Sequence, residues 1–151
     1  MNRENREVHR HLKDLLKDQH VRRMKLFTQH GAVSTFDHCE SVANLSFRLN
    51  RMLHLHADER RLVRGAMLHD FYLYDWHHED GGEHRLHGFS HAGRAADNAV
   101  RLLHVEKKEE EIIRSHMWPL NITKVPKSRE AWIVCLADKI CSLRETVFER
   151  G

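Results

Sequence analysis

Two carboxylates stand where side chains should be leaving water. Asp138 falls among Ala131, Val134, Cys135 and Cys141, which recur at three- and four-residue intervals and so share one face of a predicted helix. Asp70 follows His69 in RGAMLHDFYLYDW, where Leu62, Ala66, His69 and Leu73 also share a face. Burying an ionised carboxylate is strongly unfavourable unless a cation or several donors compensate it. A divalent metal satisfies both residues, because carboxylate oxygen and neutral imidazole nitrogen are ordinary ligands for zinc, manganese, iron and similar ions. Helical bundles build such sites from side chains on facing helices. His38, in STFDHCESVANLS, lies on a third predicted helix, which gives the order H…HD…D.

The elements that position these residues are helical. Two prolines, seven glycines and many long straight-chain residues favour helix over sheet. Residues 5 to 19 carry Val8, Leu12, Leu15 and Leu16 at helical spacing, and a short helix from Val21 to Gln29 ends before Gly31. A longer helix begins near Ser34 or Thr35, with Asp37 in its first turn and Cys39, Val42, Ala43, Ser46, Leu49 and Leu53 as its apolar stripe. Asp58 is a natural N-cap for the helix leading to His69. Residues 75 to 87, with Gly81 and Gly82, read as one long loop, on which His77, His78 and His84 are solvated. Phe89 and Ser90 look like the staple and cap of a helix carrying Ala92, Ala95, Ala96, Ala99, Leu102 and Leu103. Glu106 to Trp118 forms another that stops at Pro119, and Ser128 caps the last. The expectation is an all-α, single-domain bundle of roughly six or seven helices over 1–151, with 1–30 as N-terminal packing helices and 34–145 as the core that holds the site.

The contexts STFDHCESVANLS, RGAMLHDFYLYDW and IVCLADKICSL resemble the HD-domain superfamily of metal-dependent phosphohydrolases, whose members fold as helical bundles around one or two metals. The resemblance spans about residues 34 to 145. Members with two metals carry further histidines between the His-Asp pair and the final Asp. His91, in LHGFSHAGRAADNA, and His116, in EEEIIRSHMWPLN, fall there. The resemblance therefore implies a dinuclear site of His38, His69, Asp70, His91, His116 and Asp138, with Asp70 bridging. It would hold one or two divalent transition metal ions (Fe, Mn, Zn, Co or Ni), two being favoured.

Two such cations polarise a phosphoryl oxygen, neutralise the leaving group and acidify a bridging water. Asp70 and His87 are then the expected catalytic residues, His87 as a proton donor to the leaving oxygen or a substrate contact. Arg94, one turn into the helix after His91, and Lys139, next to Asp138, are the expected phosphate ligands. The activity implied is hydrolysis of a phosphomonoester or phosphodiester, of a nucleotide or another small phosphorylated metabolite. Two other functions fit the same residues. Some HD proteins with four histidines and two aspartates hold a di-iron centre and act as oxygenases, and a metal-bound interaction module would need no turnover. The cyclic-dinucleotide hydrolases of the HD-GYP branch share the histidines but carry a Gly-Tyr-Pro segment, where this chain has RSHMWPLN.

Composition narrows the remaining classes. Fifteen histidines are the outlier, and only position separates ligands from surface residues. A formal charge of +3, with basic residues dispersed among acids, gives no strong nucleic-acid signal and suits a small phosphorylated substrate. The charged opening segment has no apolar core of a secretory signal, and no stretch is long and apolar enough to span a bilayer, so a cytoplasmic protein with no membrane partner is expected. Cys39, Cys135 and Cys141 form no C-x-x-C pair and read as buried free thiols. Glu109 to Glu111 and Arg60-Arg61 read as solvated helix faces, and Trp118, Trp132 and Phe148 as packing residues. Oligomeric state leaves no sign in the sequence.

Overall fold

The computed structural model describes residues 1–72 and 84–150, apart from the side chains of residues 30, 84–90 and 149–150. Leu73, His77 and His78 thus lie outside the described residues, as do the side chains of His84 and His87. Eight α-helices are found among the described residues: α1 (Arg3–His11), α2 (Lys13–Lys17), α3 (Gln19–Arg23), α4 (Thr35–Met52), α5 (Glu59–Leu68), α6 (His84–Leu103), α7 (Lys107–Ser115) and α8 (Arg129–Arg150). The architecture is all-α, as expected, with one two-stranded antiparallel ribbon, β1 (Thr28–His30) and β2 (Val33–Ser34). None of the described helices is long and apolar enough to cross a membrane.

The caps legible in the sequence form as predicted. Ser34 Oγ accepts from the Asp37 amide at 3.1 Å, the Asp58 carboxylate from the Arg61 amide at 2.9 Å, and Ser128 Oγ from the Ala131 amide at 3.0 Å. Other boundaries move. The first helical segment breaks at Leu12 into α1 and α2, and the segment after it turns through α3 and a short 3-10 turn at Met24–Leu26 into the ribbon, where Gly31 takes a positive φ of 54°. Helix α6 starts at His84, ahead of the cap expected at Ser90. Helix α7 ends at Ser115, short of Trp118, and His116 is its C-cap.

Helix α4 packs on α5 and α8, and α7 packs on α5, α6 and α8. One apolar core runs from Val8, Leu12 and Leu15 through Phe47, Leu62, Met67 and Ile112 to Val134 and Cys141. Gly65 of α5 lies so close to Ile112 of α7 that an added Cβ would meet its Cγ2 at 2.7 Å. Arg64 joins three helices, donating to Glu109 at 2.6 Å and to Asp14 at 2.8 Å. That corrects the reading of Glu109 as solvated: it is 2% exposed, because its position in α7 faces the buried guanidinium of α5. All three cysteines are free and buried. Trp118 meets Trp132 edge-on with centroids 4.9 Å apart, but Trp132 is half-exposed and Phe148 is largely exposed, so packing among the described residues does not account for them.

Candidate metal centre

Six side chains from five structural contexts converge. His38 comes from the first turn of α4, His69 caps α5, Asp70 follows it, His91 lies within α6, His116 caps α7, and Asp138 lies within α8. All six are buried. They form two groups that share Asp70: His38, His69, Asp70 and Asp138 in one, and Asp70, His91 and His116 in the other, with the ligating atoms of each group within 4.8 Å of one another.

The bonds around the imidazoles fix which nitrogens face inward. His69 Nδ1 donates to the Ala66 carbonyl at 2.6 Å, and His116 Nδ1 donates to the Ile113 carbonyl at 2.7 Å. Both carbonyls are three residues back at a helix end, where the last carbonyls are not all taken up by the helix ladder. His38 Nδ1 donates to the Glu145 carboxylate at 2.8 Å. In each ring the Nε2 is turned to the cluster, the second-sphere arrangement that fixes the tautomer of a metal-bound histidine.

The inward atoms crowd together. His38 Nε2 is 2.9 Å from Asp138 Oδ1 and 3.3 Å from His69 Nε2, and His69 Nε2 is 3.2 Å from Asp138 Oδ1 and 3.2 Å from Asp70 Oδ2. The other carboxylate oxygen, Asp70 Oδ1, is 3.2 Å from His116 Nε2 and 3.3 Å from His91 Nε2, which are themselves 3.1 Å apart. Although those distances are short, Asp70 Oδ1 is buried and receives no hydrogen bond. Facing imidazole lone pairs and a buried carboxylate oxygen without a donor need positive charge between them. Each of the two groups is composed of residues that fit a divalent cation.

Charge in the cluster points the same way. Burial opposes a proton on His38, but the bonds to Asp138 and Glu145 outweigh it and push its pKa up to about 10. Burial likewise opposes charge on His69, and Asp70 with other neighbours overcomes it. Burial would raise the Asp70 and Asp138 carboxyls, yet the field of His69 and the other imidazoles that face them hold both well below the usual carboxylate range. His116 moves down, through burial and the repulsion of His69 and His91, and so stays neutral. The two aspartates thus draw positive charge into the site, whether carried by protons or by metal.

The other residues predicted to act there are distributed unevenly. Lys139 Nζ donates to the His116 carbonyl at 3.3 Å, beside the cluster, while Arg94 is exposed on α6 one turn beyond His91. The side chain of His87 lies outside the described residues. Three supporting residues escaped sequence reasoning. Gln29 Nε2 donates to Asp70 Oδ2 at 3.0 Å and Gln29 Oε1 accepts from the Tyr72 hydroxyl at 2.7 Å, so the ribbon holds Asp70 in place. Glu145 carried a signal, since it follows Asp138 by two helical turns on the same buried face. Gln29 carried none, because it reaches the site through a strand that no pattern announced.

A family model described as HD domain matches residues 35–143. The match covers α4 through most of α8 and includes all six converging residues. Comparison with curated proteins and with solved structures gives no match.

Proposed function

Because the chain belongs to the HD-domain family, we propose that it is a metal-dependent phosphohydrolase acting on a phosphomonoester or phosphodiester of a nucleotide or another small phosphorylated metabolite. The observation that carries this reading is the division of Asp70: Oδ2 faces His38, His69 and Asp138, and Oδ1 faces His91 and His116. A carboxylate so placed suits two divalent ions, with His38, His69 and Asp138 completing one sphere and His91 and His116 the other. When bound, such a pair supplies Lewis acidity at the phosphoryl oxygens and lowers the pKa of water toward neutrality.

The chain supplies orientation. Gln29 and Tyr72 hold the Asp70 carboxylate, and Glu145 holds the His38 ring. Lys139, whose ammonium lies against the backbone of His116, stabilises negative charge on the phosphoryl group, and Arg94 binds the same group from α6. His87 donates a proton to the leaving oxygen. The same four histidines and two aspartates would serve a di-iron oxygenase, and a module with a closed metal site would turn nothing over.

Phosphate release from a panel of mononucleotides and sugar phosphates, measured under nitrogen with the chain reconstituted in turn with Mn, Fe, Zn, Co and Ni, tests the reading. Turnover with Mn that vanishes in Asp70→Ala supports hydrolysis. Oxygen uptake requiring Fe(II), with no phosphate released from any substrate, favours the oxygenase.

A further inference from the structure

The formal charge of +3 conceals an uneven distribution. Residues 1–25 hold eight of the 25 Lys and Arg but only four of the 22 Asp and Glu, a formal +4, which leaves the other 126 residues at −1. All eight cations are exposed. The four acids are answered from elsewhere. Arg48 and Arg51 of α4 bind Glu4 and Glu7 at 3.3 and 2.6 Å, and Arg64 of α5 binds Asp14 at 2.8 Å. Asp18 Oδ1 accepts from the His20 and Val21 amides at 2.7 and 3.2 Å. Charges that alternate along the chain are thus sorted in space, with the carboxylates turned to neighbouring helices and the cations left to water.

The cations are ordered as well as concentrated. Arg3, Arg6 and Arg10 succeed one another on one face of α1 and line a groove of about 400 Å³ with Glu7. Glu7 is shared between Arg3 at 3.5 Å and Arg51 at 2.6 Å, and Arg6 donates to the Met1 carbonyl at 2.9 Å. Arg10 has no ion pair or side-chain hydrogen bond among the described residues, and neither have Lys13 and Lys17, which open and close α2. The three arginines cover about 10 Å of helix, which matches about three steps of 3.4 Å between phosphates along one strand of a duplex.

Two features say which polyanion fits. The apolar face of these helices, with Val8, Leu12, Leu15 and Val21, is already in the core, so it cannot insert into a lipid surface. The first 26 residues also contain no Phe, Tyr or Trp on which an unpaired base could stack. What fits is a row of closely spaced phosphates met by charge alone, the way a duplex backbone is bound without regard to sequence.

We propose that the outer face of α1 and α2 binds the phosphate backbone of a double-stranded nucleic acid, with Arg3, Arg6 and Arg10 at its centre. The surface contains none of the metal ligands, so binding there does not depend on turnover. Fluorescence anisotropy of the full chain with its metal bound tests it, using labelled DNA and RNA duplexes of about 20 base pairs and unrelated sequences. At least one of the two should bind at micromolar concentration in about 50 mM salt, alike across sequences, with a slope of log affinity against log salt of about −3 or steeper. Arg3→Gln, Arg6→Gln and Arg10→Gln together should weaken binding about thirtyfold or more and flatten that slope by about 2 to 3, with helical circular dichroism and metal content unchanged. Lys107→Gln, Lys108→Gln and Lys127→Gln together remove the same charge from other exposed positions, and should change affinity by less than about threefold. No binding of either duplex overturns the proposal. So does binding that the lysine variant weakens as much as the arginine variant, which net charge alone would give. Sedimentation with phosphatidylserine vesicles, without affinity for either duplex, would assign the surface to a membrane and overturns it as well.

Discussion

Gly65 and Ile112 touch at the crossing of α5 and α7, and each stands four residues before a histidine of the site, His69 and His116 respectively. One helical turn beyond the contact, the two rings meet edge-on with centroids 4.8 Å apart. The missing Cβ at position 65 is what lets the helix ends approach closely enough for both rings to reach Asp70.

Gly65→Ala should therefore act at a distance from its own atoms. The added methyl meets Ile112 at 2.7 Å, and overpacking of this kind costs about 1–3 kcal/mol, against a gain of up to about 1 kcal/mol in helix propensity. The expected result is a less stable metal-free protein that also binds its second metal more weakly. Urea unfolding and metal stoichiometry measure the two effects. Gly65→Ala with Ile112→Ala should recover much of the second metal, because the branch that clashes is gone; no recovery would mean that helix spacing does not set the site.

Glu145 touches His38 and no other member of the cluster in the described contacts, so its removal separates orientation from ligation. Glu145→Gln keeps an oxygen that can accept from Nδ1 but loses the charge. Loss of such a partner typically lowers metal affinity by about 10–100-fold. Chelator competition should show that loss for the metal held by His38, His69 and Asp138, while the metal at His91 and His116 dissociates as in the parent. Equal weakening of both would point to a general disturbance of α8.

Most of what positions the ligands was legible as pattern. Asp138 was found because a charge interrupts an apolar face, and the caps at Ser34, Asp58 and Ser128 because short polar side chains preceding an apolar period have few other uses. The ribbon was not legible: Thr28–His30 and Val33–Ser34 are too short for a period-two signal, and pairing rather than propensity makes them strands. The same is true of Glu109 in KKEEEIIRS. Within a run of like charges, no local feature marks which glutamate meets a buried arginine from another helix. Phe148 and Trp132 failed for a different reason, since apolar type predicts burial in something without saying in what.

His54 offers a test of backbone strain away from the site. It follows the C-cap Leu53 with φ at 51°, while Leu55 donates to the Asn50 carbonyl at 3.0 Å, the closure that usually places glycine at this position. A side chain in the left-handed region costs on the order of 1 kcal/mol. His54→Gly should raise stability by about 0.5–1 kcal/mol, or roughly 1–4 °C in melting temperature, whereas His54→Ala, which keeps the Cβ, should gain little. Metal content should be the same in all three. A stabilised alanine variant would place the penalty in the imidazole rather than in the backbone.

The proton on His38 and a metal compete for one nitrogen, and the direction of that competition is fixed by the site. In the folded chain without metal the His38 pKa is raised from 6.5 to about 10: burial opposes the charge, and Asp138 and Glu145 overcome it. A raised pKa means that protonation stabilises the fold fully below pH 6.5 and that this contribution is lost as the pH rises through about 10. Metal binding has the opposite slope, because the ion held by His38 must displace the proton at Nε2, so affinity at that position should rise over the same window by up to about tenfold per pH unit and then level off. The metal-free protein should accordingly melt lower at pH 9 than at pH 7, and the shift in melting temperature on adding metal should be larger at pH 9. Titration calorimetry in buffers of different ionisation enthalpy should record proton release at pH 7 that declines toward pH 10. Metal binding that releases no proton at pH 7 would mean that His38 is already neutral there, and that the two carboxylates are answered by some other cation.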